Sequence, residues 1–186
     1  MGHLRQVLAW RSRHCIALLV MQLVGAAAPA LAQASGPATP ESLKAEIVFR
    51  ALMFVSWPGD RISSGKGLQL CTLGDGRMDS ALLALGGRTI RQQGLETRRA
   101  RLDQVGGCHA IYLAAPNHSI IAALSGRAVL LVSDSTSTLD DGVMLNLQVE
   151  DGRVVFDIEL DAARRAGLDI SAKLLRLARF VKRSTP

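Results

Sequence analysis

Gly74-Asp75-Gly76 is the first group of residues whose type and spacing could serve a chemical function. It follows an apolar stretch with strand character and precedes a predicted helix, which is where a dinucleotide-binding loop begins. Asp79 stands where that loop requires its third glycine. The motif is therefore incomplete, and we predict no nucleotide and no other cofactor.

Histidines, serines and paired acids elsewhere in the chain do not form a catalytic or metal-binding set. His109 and His118, the two histidines beyond residue 32, have no second ligand at a metal-binding spacing. The chain has no G-x-S-x-G motif, and Ser125-Gly126 lies at a predicted helix end. Asp140-Asp141 falls in a predicted turn, which such acids cap or solvate. These residues predict a protein that is not an enzyme.

A cluster of arginines is the other feature that could form a binding site. Its role has two interpretations. Arg98, Arg99 and Arg101 could form a patch for an anion or an acidic partner. Alternatively, they alternate along an edge strand, where charges prevent pairing with other chains; we favour this second interpretation. The full cluster comprises Arg88, Arg91, Arg98, Arg99 and Arg101.

The first 32 residues are predicted to be an export signal that is cleaved. Arg5, Arg11 and Arg13 precede an apolar run over 15–28, and Ala30-Leu31-Ala32 has the small-x-small form of a signal peptidase site. A membrane anchor is the alternative, but the apolar run is short for a membrane span. We expect a soluble periplasmic protein with a flexible leader over 33–40 and one domain over 41–186.

Removal of this segment changes the charge and the cysteine count. Three of the 22 Lys and Arg residues and none of the 16 Asp and Glu residues lie in it, so the net charge falls from +6 to +3. A chain of this charge, exported from the cytoplasm, is not expected to bind nucleic acid. Cys71 and Cys108 remain, and such a pair usually closes in an oxidising compartment. We predict a structural disulfide; a redox switch is the weaker alternative.

The elements that must position these residues alternate between helix and strand. We predict helices over 40–55, 78–85 and 116–124, and strands over 68–73, 96–102, 109–115 and 128–132. Strands that are apolar on both faces and separated by helices favour a mostly parallel sheet with helices on both faces. The predicted fold class is therefore α/β, a Rossmann-like three-layer sandwich.

The last forty residues or so close this sheet with an antiparallel hairpin and a helix. Apolar and polar residues alternate over 143–149 and 154–160, and Asp151-Gly152 between them suits a type I′ turn. Asp161 is predicted to cap a short helix over 162–166. Ser171 is predicted to cap a second helix, whose apolar stripe is Leu174, Leu177, Ala178 and Val181.

The ordered set of these features resembles the YfiR-like family of exported bacterial proteins. The resemblance covers nearly the whole chain after the export signal. It differs at Phe49-Arg50, Glu159 and Asp169, where family members often carry other residues. The matching residues are Trp57-Pro58, Cys71-Thr72-Leu73-Gly74-Asp75, Cys108, Asn146, Gly152, Phe156, Leu160-Asp161, Gly167, Ile170-Ser171, Lys173-Leu174-Leu175 and Leu177-Ala178.

This resemblance implies a signalling role that neither composition nor periodicity reveals. It implies a periplasmic repressor that binds the outward-facing sensor part of an inner-membrane diguanylate cyclase, forms a homodimer and lowers cyclic di-GMP. Polar residues of the closing segment are candidates for the partner interface, although solvated positions are the commoner role for such residues. The alternative function is a small-ligand-binding periplasmic sensor, or an accessory protein of a different membrane system. The candidate interface residues are Asp157, Glu159, Asp161, Arg165 and Lys173.

Overall fold

The structure is a computed structural model, and it describes residues 38–59, 67–116, 118–136, 139 and 141–183. The predicted export signal and most of the predicted leader lie outside these described residues. The described residues belong to one compact unit, which spans 37–186. Within them, no helix combines the length and the apolar character that crossing a membrane requires.

The first helix, α1 (Pro40–Leu52), begins with a side-chain cap and ends before an extended segment. The Thr39 hydroxyl accepts a hydrogen bond from the Ser42 amide at 3.1 Å, and Pro40 occupies the first turn, where a missing N–H costs nothing. The helix ends three residues earlier than the sequence predicts. Val55 and Ser56 instead form β1, which is antiparallel to β9 (Asp169–Ile170) in a small separate sheet.

The remaining elements follow the predicted alternation, with shifted ends. The strand predicted over 96–102 starts and ends three residues earlier, and the two-residue strands β1, β3 and β9 were not predicted. The helices are α2 (Arg77–Leu83), α3 (His118–Leu124), α4 (Leu160–Arg165) and α5 (Ala172–Leu177). The strands are β2 (Leu68–Thr72), β3 (Thr89–Ile90), β4 (Gln93–Arg99), β5 (Ala110–Leu113), β6 (Leu130–Ser133), β7 (Leu145–Glu150), β8 (Arg153–Glu159) and β10 (Phe180–Lys182).

The main sheet of the described residues has eight strands in the order β10-β8-β7-β6-β5-β2-β4-β3. Five of its seven neighbouring pairs are parallel, and the β3–β4 and β7–β8 pairs are antiparallel. The central strands β5 and β6 are buried along their whole length, as strands covered on both faces must be. The predicted α/β class with a mostly parallel sheet is confirmed.

Helices cover both faces because the connections run in opposite directions across the sheet. The β2–α2–β4 connection moves towards one edge, and the β5–α3–β6 connection moves towards the other. Since such crossovers are right-handed, α2 and α3 lie on opposite faces. Helix α1 packs beside α2, and its Lys44 side chain reaches Asp134, the residue after β6.

The closing hairpin forms as predicted. Leu147 lies opposite Phe156 in the β7–β8 register. Asp151 and Gly152 have φ values of 48° and 73°, and both must be positive in a type I′ turn.

The segment after the hairpin differs from its prediction in two respects. Glu159, rather than Asp161, occupies the N-cap position of α4, and Asp161 lies in the first turn. Helix α5 ends at Leu177 because Ala178 is extended, with ψ of 140°. Val181, which was predicted to continue the helical stripe, lies in β10, which pairs in parallel with β8. The Ser171 cap of α5 is as predicted, with its hydroxyl accepting from the Lys173 amide at 3.3 Å.

The predicted disulfide is present and joins two neighbouring central strands. Cys71 lies on β2, and Cys108 lies just before β5, with their Cα atoms 5.9 Å apart. Both residues are fully buried. Because β2 and β5 are hydrogen-bonded neighbours, the bond links the two strands that carry the centre of the sheet.

We expect the double variant Cys71→Ser/Cys108→Ser to have a free energy of unfolding lower by about 3–4 kcal/mol, since a bridge across 37 positions restricts the unfolded chain. Guanidinium unfolding of the oxidised wild type and the variant measures this. Wild type with a reducing agent is the control and should lose a similar amount. Equal unfolding midpoints for oxidised and reduced wild type would contradict the prediction.

Candidate functional site

The loop at Gly74 to Gly76 lies at the carboxyl end of β2, where α/β proteins commonly bind phosphates. Here the side chain of Asp79, which is 1% exposed, accepts hydrogen bonds from the Gly74 and Gly76 amides at 3.0 Å each. A Cβ atom on Gly74 would lie 3.0 Å from the same carboxylate, so any larger residue here would force the Asp79 side chain to shift. The chain's own carboxylate therefore occupies the amides that a phosphate would use.

A second polar group lies at the ends of the neighbouring strands β5 and β6. The Tyr112 hydroxyl donates to one carboxylate oxygen of Asp134 at 2.5 Å, and the Lys44 ammonium donates to the other at 2.7 Å. Tyr112 is 2% exposed, and Lys44 comes from α1. Burial raises the pKa of the Tyr112 phenol well above its usual value, and the adjacent Asp134 carboxylate raises it further. The contact holds the first helix over the sheet.

These groups close the carboxyl end of the sheet from within. Asp79 binds the loop, and Asp134 binds both the sheet and α1, so the polar atoms are engaged with each other. Across the described ranges, no three His, Cys, Asp or Glu side chains are grouped so that they could hold a metal ion. The hydrogen bonds of Asp79 and Asp134 hold structural elements in place, and neither carboxylate is bonded to a serine, threonine or cysteine side chain in these contacts.

The two histidines are engaged differently. His109 is buried; its Nδ1 accepts from the Gln69 amide at 2.9 Å, and its carbonyl accepts from the Trp57 indole at 2.8 Å. His118 is exposed and lies 3.5 Å from the Asp141 carboxylate. His109 thus joins β2, β5 and the segment after β1.

The arginine cluster is dispersed by the fold. Arg88 binds Glu46 at 2.6 Å, and Arg98 donates to the Gln104 carbonyl at 2.9 Å. Arg101 lies 3.6 Å from Asp103, and Arg99 is exposed. Strand β3 covers only the first two residues of β4, so these arginines follow the uncovered outer side of that strand. Arg99 and Arg101 are therefore exposed to solvent, whereas Arg98 is hydrogen-bonded to the loop that follows β4.

The closing segment buries two acids that the sequence suggested as interface residues. Asp157 and Glu159 are 5% and 3% exposed. Arg179 donates to Asp157 from Nε at 2.9 Å and from a second, closer nitrogen, and it also binds Glu150 at 2.8 Å. Lys182 lies 3.3 Å from Glu159 as an ion pair without hydrogen-bond alignment. These pairs fasten β10 to β8.

The other suggested interface residues are closer to the surface. Asp161 is partly exposed and lies 3.4 Å from Arg164, whereas Arg165 and Lys173 are exposed. The structure therefore brings Asp157 and Glu159 together in an internal network and leaves Arg165 and Lys173 accessible to a partner. Sequence reasoning missed Arg179 and Lys182. The sequence did contain a signal for them. Asp157 and Glu159 lie on one face of a strand, and if that face is covered, both acids need basic residues beside them.

Comparison with known proteins identifies a family. The family model described as YfiR/HmsC-like (DUF4154) matches residues 41–179. Among solved structures, this chain is similar to a conserved domain protein from Vibrio cholerae O1 biovar El Tor, with 14% sequence identity and a TM-score of 0.49. That match covers 77% of this chain and 60% of the Vibrio chain, so this chain spans less than two thirds of its length.

We expect Tyr112 to remain protonated at about pH 11 in the folded protein, because folding raises its pKa above the unfolded value of about 10. It is the chain's single tyrosine, so absorbance at about 295 nm reports it alone. The stabilising contribution is present below about pH 10 and falls as the pH rises further, since only the unfolded chain then releases the proton. The chain in denaturant is the reference; a native titration midpoint near 10 would disprove the assignment.

We expect Arg179→Met to lower the free energy of unfolding by about 2 kcal/mol, because it leaves the buried Asp157 carboxylate without its counter-charge. This value is below the range of about 3–5 kcal/mol for a fully buried pair, since the Arg179 side chain is 36% exposed. The matched control is Arg176→Met, at an exposed position on α5, with an expected change within about 0.5 kcal/mol. Denaturant unfolding compares them, and equal midpoints would show that β10 does not depend on this pair.

Proposed function

The chain belongs to the YfiR/HmsC-like family, and from this membership we propose that it is a periplasmic regulator of an inner-membrane diguanylate cyclase. It binds the periplasmic sensor part of that enzyme and represses cyclic di-GMP synthesis. The family match over residues 41–179 is the observation that carries the proposal, because it includes nearly all of the described chain.

The internal bonding of the polar groups supports action by protein contact. The Gly74 loop is bound by Asp79, and the buried phenol of Tyr112 is bound by Asp134. These hydrogen bonds hold the loop after β2 and the ends of β5 and β6 in place. The exposed surface is then the part of the molecule that is free to act.

The physical mechanism of repression is a difference in affinity. A repressor that binds the inactive form of the cyclase more tightly than the active form shifts the equilibrium towards the inactive form. A tenfold preference corresponds to about 1.4 kcal/mol. The repressor need not touch the enzyme's catalytic part, because its affinity for the sensor part differs between the two forms.

Arg165 and Lys173 are the proposed contacts with the sensor part. Both are exposed, both follow β8, and their charges would attract an acidic surface and orient it during association. Arg99 and Arg101, at the opposite edge of the sheet, form a second candidate patch. We also propose that the chain forms a homodimer, as the resemblance to the family implies.

We expect deletion of the gene in its own host to raise intracellular cyclic di-GMP, and restoration of the exported protein to lower it again. The physical reason is that the repressor, which favours the inactive form of the cyclase, is then absent. Extraction and mass-spectrometric quantification of cyclic di-GMP measures the change. An unchanged level under several growth conditions would reject repression as the function of this chain.

The same assay tests the proposed contact surface. The double variant Arg165→Glu/Lys173→Glu should fold normally, since both positions are exposed, and should fail to restore repression. Arg127→Glu, an exposed charge reversal in the turn before β6, is the matched control and should restore it. Full repression by the double variant would place the contact elsewhere.

A further inference from the structure

The outer edge of β4 has main-chain groups that are open to another strand. The Ala100 amide, just after β4, donates to the Thr72 carbonyl on β2 at 2.9 Å. Alternate residues of a strand direct their main-chain groups to opposite sides, so Thr97 and Arg99 direct theirs away from β2. On that outer side, β3 and the segment before it bond β4 only as far as Leu95. Within the described chain, the amides and carbonyls of Thr97 and Arg99 have no main-chain partner.

The side chains along this edge are positively charged. Arg98 donates to the Gln104 carbonyl, a neutral acceptor, and so keeps its charge. Arg99 is exposed. Arg101 lies 3.6 Å from Asp103, but these side chains are 82% and 73% exposed, and an exposed pair of this kind is weak. Three arginines within four positions therefore give the edge a local positive potential.

The edge is ordered before anything binds to it. The Thr97 hydroxyl donates to the Leu83 carbonyl at the end of α2 at 2.8 Å. At one end, the Leu95 amide donates to the Arg88 carbonyl at 2.7 Å, and at the other the chain enters a 3-10 helix, Leu102–Gln104. Residues 96–100 remain between these ends, a length of about 17 Å in an extended chain. A preformed edge spares a partner the cost of ordering it.

The charges select the kind of strand that can pair here. A second copy of the chain would bring its own arginines to the edge, and like charges on paired strands repel. An acidic strand is attracted by the same arginines. Thr97, Arg99 and Arg101 alternate along an extended backbone, so they lie on one face. Acids at every second position of an added strand would therefore lie beside both exposed arginines.

We propose that the outer edge of β4 is a docking site for an extended acidic segment of a partner protein, which adds to the sheet as a further strand beside Thr97 and Arg99. Main-chain hydrogen bonds supply the affinity, and the arginines select acidic side chains. Such a site deepens the proposed function, because it gives the second candidate patch a mode of contact, and the identity of the partner rests on that function.

NMR spectra of the purified, nitrogen-15-labelled chain with a synthetic peptide test the proposal. The probe is a capped peptide of three glutamate–threonine repeats, and its control has lysine in place of glutamate. At about 5 mM, the acidic peptide should shift the amide signals of Thr97 and Arg99 and slow their hydrogen exchange about fivefold, as a dissociation constant of about 1 mM implies. The lysine peptide should leave both amides unchanged.

A charge reversal tests the selection of acidic side chains. Arg99→Glu/Arg101→Glu should weaken binding of the acidic peptide about tenfold or more, because two attractions become repulsions. Arg165→Glu/Lys173→Glu is the matched control. It changes the net charge by the same amount at exposed positions on α4 and α5, and it should bind the peptide like the wild type.

A proline tests the main-chain contact. Arg99→Pro removes an amide that the β2–β4 pairing does not use, and it should bind the peptide about fivefold more weakly than Arg99→Gln, which loses the same charge but keeps the amide. Circular dichroism must show that each variant is folded. If Arg99→Pro does not fold, the hydrogen exchange of Thr97 in the wild type still decides whether a strand is added.

Three results would overturn the inference. One is equal binding of the acidic and lysine peptides, or no effect of either at about 5 mM. Another is equal binding by Arg99→Pro and Arg99→Gln, because the contact would then involve side chains alone. The third is slower exchange of the Thr97 and Arg99 amides as the protein concentration rises without peptide, which would show that the edge pairs with a second copy.

The cellular assay separates the edge from the proposed function. If deletion raises cyclic di-GMP but the acidic peptide does not bind β4, the function stands and the docking site fails. If the peptide adds to β4 but deletion leaves cyclic di-GMP unchanged, the docking site stands and the function fails.

Discussion

The requirement that buried polar groups find partners governs the carboxyl end of the sheet. A parallel sheet brings its strand ends to one end of the sheet, and here that end carries a phenol, two carboxylates and a loop whose amides need acceptors. Asp134 meets this requirement on both sides, because one oxygen accepts from Tyr112 and the other from Lys44. Asp79 satisfies the loop in the same way. The first helix is placed over the sheet by this bonding as well as by its apolar face.

The same requirement acts at the β8–β10 edge of the sheet, with a different solution. Asp157 and Glu159 are covered, and an uncompensated carboxylate in that position would be costly. Arg179 and Lys182 supply the counter-charges only if the chain leaves the helix and runs beside β8. The last strand has three ladder positions with β8, and these ion pairs add to its attachment. Side chains suggested as partner contacts are in this way part of the internal structure.

Together these features describe a molecule whose polar interior is closed and whose accessible surface differs from face to face. A groove between α1, β8 and α5 is apolar, while Arg165, Lys173 and the outer side of β4 carry positive charge. A regulator that acts by contact needs separate surfaces of this kind if it is to associate with itself and with a second protein. The disulfide between Cys71 and the entry to β5 stiffens the sheet that these surfaces share.

The sequence by itself determined the features that depend on local pattern. Buried strands alternating with helices specified the α/β class, Asp151-Gly152 specified the hairpin turn, and the two cysteines beyond the predicted export signal specified their pairing. Only the tertiary structure decided the end of α5. Leu177, Ala178 and Val181 fit a helical stripe in the sequence. The helix ends at Leu177 because Arg179 binds Asp157, which lies 22 positions earlier, and the chain then runs beside β8. The tertiary structure also decided that Asp157 and Glu159 are covered, since alternation on a strand distinguishes two faces but does not say what packs on each.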